Sequence, residues 1–151
     1  MITVTKIFRF EMGHAIDGYD GICKYIHGHS YVLHVTVTTR EAGDQPLPPP
    51  GFVIDFKELK KIVNERVISK LDHSLILSER YVEKYPNIKQ EPNLKIWPYE
   101  PSAENILYFI KTELQGSFSE NYEIVRLRIW ETSDSFAEWE NDRPSSLFKK
   151  P

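Results

Sequence analysis

From His29 to Thr39 the chain alternates: Tyr31, Leu33, Val35 and Val37 share the parity of His29, while Ser30, His34, Thr36 and Thr38 take the other. A period of two over that length is the pattern of a strand with one apolar face, and it commits this part of the chain to a sheet. The strand is entered through His27-Gly28-His29. With Gly28 extended, both imidazoles leave the face that carries the apolar side chains. Residues 2 to 12 alternate in the same way, with Val4, Phe8, Phe10 and Met12 on one face and Thr3, Thr5, Arg9 and Glu11 on the other. Lys6 is the exception on the apolar side, and His14 falls on that parity. If these strands pair antiparallel, His14 comes opposite His27 and His29, close enough for side chains to interact across the ladder. The loop that joins them, Asp17 to Tyr25, contains Gly18, Asp20, Gly21 and the chain's one cysteine, Cys23.

The next segment, 40–51, reads REAGDQPLPPPG and cannot be the interior of a sheet, so it is expected as a long hairpin connection. Asp55-Phe56-Lys57-Glu58 has capping-box spacing, and Phe56, Leu59, Ile62, Val63 and Val67 follow at helical intervals, predicting a helix over about 56–70. Leu71-Asp72-His73-Ser74 closes it and an apolar run, Leu75, Ile76 and Leu77, follows. Residues 78–101 give no clean period beyond a short strand around Leu94 to Trp97. Ser102 is placed as the N-cap of a second helix with Ile106, Leu107, Phe109, Ile110 and Leu114 as its stripe and Gly116 as its end. Val125, Leu127 and Ile129 then alternate, with Glu131 on the same parity; Ser135 to Glu140 completes a terminal hairpin, and the last ten residues read as a tail. Strand, strand, helix, helix, strand, strand lacks the βα repetition of a doubly wound sheet. It fits an α+β chain in which two helices cover one side of an antiparallel sheet.

With 151 residues the chain is expected to form a single domain, 1–151. A net charge of -3 weighs against a general nucleic-acid binder and leaves a small anionic substrate open. One cysteine cannot form an intrachain disulfide, and a free thiol suits a reducing compartment. No stretch approaches the ~18 apolar residues of a membrane span. The expectation is a cytoplasmic protein with no membrane segment.

Three neutral imidazoles and an open position are what a catalytic zinc requires, so His14, His27 and His29 are candidate ligands. Cys23 has three readings: a fourth ligand, a small buried hydrophobe, or a nucleophile or base whose thiolate a nearby cation would favour. Asp72-His73 is either a helix terminus or a proton carrier with the carboxylate that orients it. Glu131 continues an apolar face and so must sit at a strand end, at an interface or in a pair, because unpaired burial is costly. As a bidentate acceptor it would suit a ring with adjacent N–H donors, such as an aminopyrimidinone. His34 has the opposite parity and is expected to face away.

Together these residues carry a resemblance to the 6-pyruvoyltetrahydropterin synthase family, most closely to its 6-carboxytetrahydropterin synthase branch in queuosine biosynthesis. The matching segments are Phe10-Glu-Met-Gly-His14, Cys23-x3-His27-Gly-His29, Gly51-Phe-Val-Ile-Asp55-Phe, Leu71-Asp72-His73, Pro101-Ser-Ala-Glu104-Asn105 and Glu131-Thr132. The spacing from Cys23 to His27 is shorter than in animal-type pyruvoyl enzymes. The resemblance implies the tunnelling fold, a four-stranded antiparallel sheet with two helices on one face, whose trimers pair into hexamers with sites between subunits. It implies Zn2+ on His14, His27 and His29, Cys23 as the base, Asp72 and His73 as a proton relay, and Glu131 as the pterin anchor. The implied reaction converts 7,8-dihydroneopterin triphosphate to 6-carboxy-5,6,7,8-tetrahydropterin with loss of acetaldehyde and triphosphate. Pyruvoyl formation and a zinc-stabilised pterin-binding protein without turnover are the alternatives. Lys24, Arg9 and the basic residues of the first helix are candidate triphosphate partners. Met12-Gly13, Ile26, the proline-rich stretch and the ending after Thr132 depart from many relatives.

Overall fold

The computed structural model describes residues 2–39, 41, 43 and 45–141. The expected tail therefore lies outside the described residues. In chain order the elements are β1 (Val4–His14), β2 (His27–Thr39), α1 (Phe56–Val63), α2 (Ser69–Leu71), β3 (Ser74–Ser78), α3 (Glu79–Lys84), β4 (Leu94–Trp97), α4 (Ala103–Leu114), β5 (Tyr122–Trp130) and β6 (Phe136–Glu140). A π-helical stretch, Asn64–Ile68, joins α1 to α2, so the first predicted helix runs on almost unbroken to Leu71.

The sheet has six strands in the order β4-β3-β1-β2-β5-β6, where four antiparallel ones were expected. β1, β2, β5 and β6 pair antiparallel, but β3 runs parallel to both β1 and β4. Every residue of β3 is buried, and its centre, Leu75, Ile76 and Leu77, is an unbroken apolar run and not an alternation. Periodicity alone cannot classify such a segment, and this strand accounts for the mixed character of the sheet. Residues 40–51 are likewise not a hairpin connection, because the chain leaves β2 there and enters α1, with Leu47 packed against the core.

The two predicted helices share one face of the sheet. Phe8, Phe10, Met12, Tyr31, Leu33, Val35 and Val37 from β1 and β2 meet Leu59, Val63 and Val67 of the first helix and Ile106, Ile110 and Leu114 of α4 in a single core. Each large aliphatic side chain fully removed from water there contributes about 1.5–3 kcal/mol. Lys6, the odd residue on this parity, keeps its charge outside by lying over the exposed Phe56 ring, 5.6 Å from its centroid. Both caps form as expected: Asp55 accepts from the Lys57 N–H at 2.7 Å, and Ser102 accepts from the Asn105 N–H at 3.3 Å. The six-residue α3, too short to declare itself by period, packs Tyr81 and Val82 on Leu75 and Leu77 in a separate small cluster. No helix of the described residues is long and apolar enough to cross a membrane.

Candidate metal centre and active site

The register of β1 on β2 sets Met12 opposite His29, Gly13 opposite Gly28 and His14 opposite His27. A Cβ at Gly28 would come 3.3 Å from the Met12 carbonyl oxygen, a tight contact within the strand pair. With His14, His27 and His29 all on the helix-covered face, one nitrogen from each ring lies within 4.8 Å of the others. His14 Nδ1 donates to the Pro101 carbonyl at 2.7 Å, and His27 Nδ1 donates to the Tyr25 carbonyl at 2.7 Å. Those carbonyls fix the tautomers, so both Nε2 atoms carry lone pairs. The two Nε2 atoms nevertheless face each other at 3.1 Å. Two acceptors at that separation repel unless a cation lies between them, and a carbonyl on the far nitrogen is the usual support of a metal-binding imidazole. The donor set therefore fits a divalent metal of the zinc type. Burial lowers the pKa values of His14 and His29, which favours the neutral, ligating form.

Glu131 reaches this centre from the end of β5. Its Oε1 lies 3.5 Å from His14 Nε2 and 3.7 Å from His29 Nε2. Tyr31, buried two residues beyond His29, donates its hydroxyl to the same oxygen at 3.2 Å. Burial and then the Glu131 charge hold the phenol well above its ordinary pKa, so it stays a donor. Tyr31 is a site residue that sequence reasoning counted only as core, although its parity with His29 placed it there.

Cys23 is half-buried in a short 3₁₀ turn, Ile22–Lys24, and its carbonyl accepts from the Ile16 N–H at 2.9 Å. Its side chain is near enough to Tyr31 for a thiolate to oppose phenol ionisation. The thiol loop thus belongs to the same neighbourhood as the histidines. Lys24 lies over the neighbouring Tyr25 ring, 5.4 Å from its centroid, and Arg9 contributes to a cationic patch around His34. His34 faces away as expected, beside Trp130 and three arginines.

Asp72 and His73 have different neighbours. His73 Nδ1 is 3.0 Å from Asp72 Oδ1, and Asp72 Oδ1 also accepts the Glu11 N–H at 2.9 Å. That backbone bond, with His73 second, holds Asp72 below the usual carboxylate range. His73 has φ +57°, a left-handed conformation held by its N–H on the Glu11 carbonyl at 2.7 Å and by Asn93 Nδ2 on its own carbonyl at 2.9 Å. Its ring is 79% exposed and lines a cavity of about 360 Å³ with Glu11, Gly28, His29, Ser30 and Asn93. Glu11 and Ser30 belong to the open face of the sheet. The dyad is formed, therefore, but its hydrogen bonds do not run to the three histidines.

A family model described as 6-pyruvoyl tetrahydropterin synthase matches residues 3–142. The chain belongs to that family. A 6-carboxy-5,6,7,8-tetrahydropterin synthase of Haemophilus influenzae is 34% identical over 146 residues, covering 93% of this chain and 99% of that protein. The protein of the same name from Aquifex aeolicus is 30% identical over 165 residues, covering 92% and 98%. Among solved structures, the 6-pyruvoyl tetrahydropterin synthase of Caenorhabditis elegans superposes with a TM-score of 0.65 at 19% identity, over 93% of this chain and 95% of that one. An uncharacterized protein from Wolinella succinogenes reaches 0.70 at 16% identity, over 93% and 98%. At those identities the structures establish the shared tunnelling fold.

Proposed function

We propose that the protein is a zinc-dependent 6-carboxy-5,6,7,8-tetrahydropterin synthase, a lyase acting on 7,8-dihydroneopterin triphosphate and water in the queuosine pathway. The observation that carries this reading is the pair of imidazole acceptors facing each other beside a carboxylate held by Tyr31. In a site of that kind, a bound metal supplies Lewis acidity to the side-chain oxygens of the substrate. Glu131 accepts the N–H donors of the pterin ring and so directs its side chain at the imidazoles. Cys23 takes a carbon-bound proton as thiolate. His73, oriented by the ionised Asp72, returns or removes protons on the other side.

Because the dyad bonds to Glu11 and Asn93 rather than to the histidines, we read the working site as shared between copies. One copy contributes His14, His27, His29 and Glu131 and another contributes Asp72 and His73, in a hexamer built from two trimers. The reducing environment suited to Cys23 fits a cytoplasmic enzyme.

Incubation of the metal-loaded protein with 7,8-dihydroneopterin triphosphate tests the reading by product mass and an acetaldehyde assay. It expects the carboxy product with one acetaldehyde per turnover. A pyruvoyl product without acetaldehyde, or stoichiometric zinc and pterin binding without product, would overturn it. Light scattering tests the assembly separately, and a monomer with full activity would refute the shared site.

A further inference from the structure

The Pro101-Ser-Ala-Glu104-Asn105 segment stood out in the sequence, and the proposed reaction gives it no role. Its hydrogen bonds supply one. Pro101 presents the carbonyl that His14 Nδ1 donates to at 2.7 Å. The preceding residue, Glu100, is held at both ends. Its carbonyl accepts Asn105 Nδ2 at 2.8 Å and the Ser102 N–H at 2.9 Å, and its Oε2 accepts the Asp17 N–H at 2.8 Å. Asp17 begins the loop that carries Cys23, and the Ile16 N–H closes that loop on the Cys23 carbonyl at 2.9 Å. A single turn at the start of α4 thus ties together the imidazole of β1, the mouth of the thiol loop and the helix itself.

We propose that Asn105 and Glu100 are positioning residues of the metal centre. Asn105 holds the Glu100–Pro101 turn so that its carbonyl meets His14 Nδ1, and Glu100 anchors the chain where it leaves His14. Neither touches the metal or the reacting atoms. Both act by fixing the direction of the His14 lone pair, whose preorganisation sets how tightly the three imidazoles close on an ion. This rests on the reading of the three histidines as a metal centre, and the test separates the two.

The first measurement is the Zn2+ dissociation constant by competition with a chromogenic chelator. Asn105→Ala, and the isosteric Asn105→Asp, which has no Nδ2–H to donate, are expected to weaken zinc by about tenfold, the low end for loss of a supporting partner. Asn105→Asp keeps the experiment decisive where the alanine variant does not fold. Glu100→Gln retains an acceptor for the Asp17 N–H and should bind zinc as the unaltered protein does, whereas Glu100→Ala should not. Thr112→Ala, on the same helix and removing a hydroxyl that donates to the Tyr108 carbonyl, serves as the neutral control.

The second measurement needs no metal. In the metal-free protein the His14 Nδ1–H should give a protected, downfield NMR signal that is lost in Asn105→Asp and kept in Glu100→Gln and Thr112→Ala. Failure of the unaltered protein to bind zinc removes the metal reading and leaves this signal to decide on the clamp. Zinc affinities within twofold of each other, together with an unchanged His14 signal in Asn105→Asp, would overturn the proposal.

Discussion

Tyr31→Phe isolates the one hydroxyl that connects the imidazole cluster to Glu131. The ring stays, because Tyr31 stacks on Phe10 with centroids 5.2 Å apart and planes at 14°, and phenylalanine reproduces that contact. What is lost is a donor at 3.2 Å from Glu131 Oε1. A hydrogen bond to a charged group is worth about 1.5–3 kcal/mol when shielded. The Glu131 side chain keeps 28% of its exposure, so water recovers part of the bond and about 1 kcal/mol remains. For a chain of this length that corresponds to a fall in Tm of roughly 2–4 °C, measured on metal-free protein so that zinc linkage does not enter. The same loss frees the carboxylate before the ligand arrives. Re-ordering it costs a similar amount, so the KM for the pterin substrate should rise about fivefold while kcat stays within about twofold. An unchanged KM with kcat reduced more than tenfold would mean that Tyr31 acts on the chemistry and that the positioning argument is wrong.

Cys23→Ala should bind zinc with unaltered stoichiometry and lose at least about a hundredfold in turnover, as expected for removal of a proton-transferring group. Near-normal turnover with zinc retained would remove the thiol from the mechanism. Burial lowers the pKa values of His14 and His29 in the native protein. The unfolded chain therefore takes up protons first, and this contribution to stability is complete above about pH 6.5 and declines as pH falls through the lowered native values. Urea titrations of the metal-free protein from pH 8 to pH 5 should follow that slope, whereas His14→Asn and His29→Asn together should flatten it. Gly28→Ala places a Cβ 3.3 Å from the Met12 carbonyl oxygen, a backbone atom with little room to retreat. About 1–3 kcal/mol of stability and a measurable part of the zinc affinity should be lost with it, and a variant as stable and as tight-binding as the unaltered protein would show that the strand pair tolerates the change.

Much of the centre was legible because it lies within the reach of a simple rule. Parity placed His14, His27 and His29 on the face that also carries Phe10 and Tyr31, and antiparallel pairing of the first two strands made them neighbours. The same rule marked Glu131 as anomalous, since Leu127 and Ile129 before it are fully buried. It failed where burial erased the alternation. Both faces of β3 are covered, by the main core at Ile76 and by α3 at Leu75 and Leu77, so nothing in the residue pattern distinguishes that strand from a buried helical turn. The supporting carbonyls of Tyr25 and Pro101 were equally invisible, because a main-chain acceptor leaves no trace in residue identity.

Asp72-His73 marks a different boundary between sequence and structure. Sequence adjacency alone makes the pair, and the left-handed φ of His73 fixes the ring's direction through bonds to β1 and Asn93. The ring lines a cavity that His29 also lines, at the edge of the imidazole cluster. The left-handed backbone is held by its hydrogen bonds to Glu11 and Asn93, which leave the ring 79% exposed and open to another surface. In the proposed shared site, a partner copy that brings its own histidines there would cover the His73 ring where the reaction moves a proton. If the site is shared as proposed, dilution below the dissociation point of the assembly should abolish turnover while leaving zinc on His14, His27 and His29, whereas turnover that persists in the monomer would place the whole reaction in one chain.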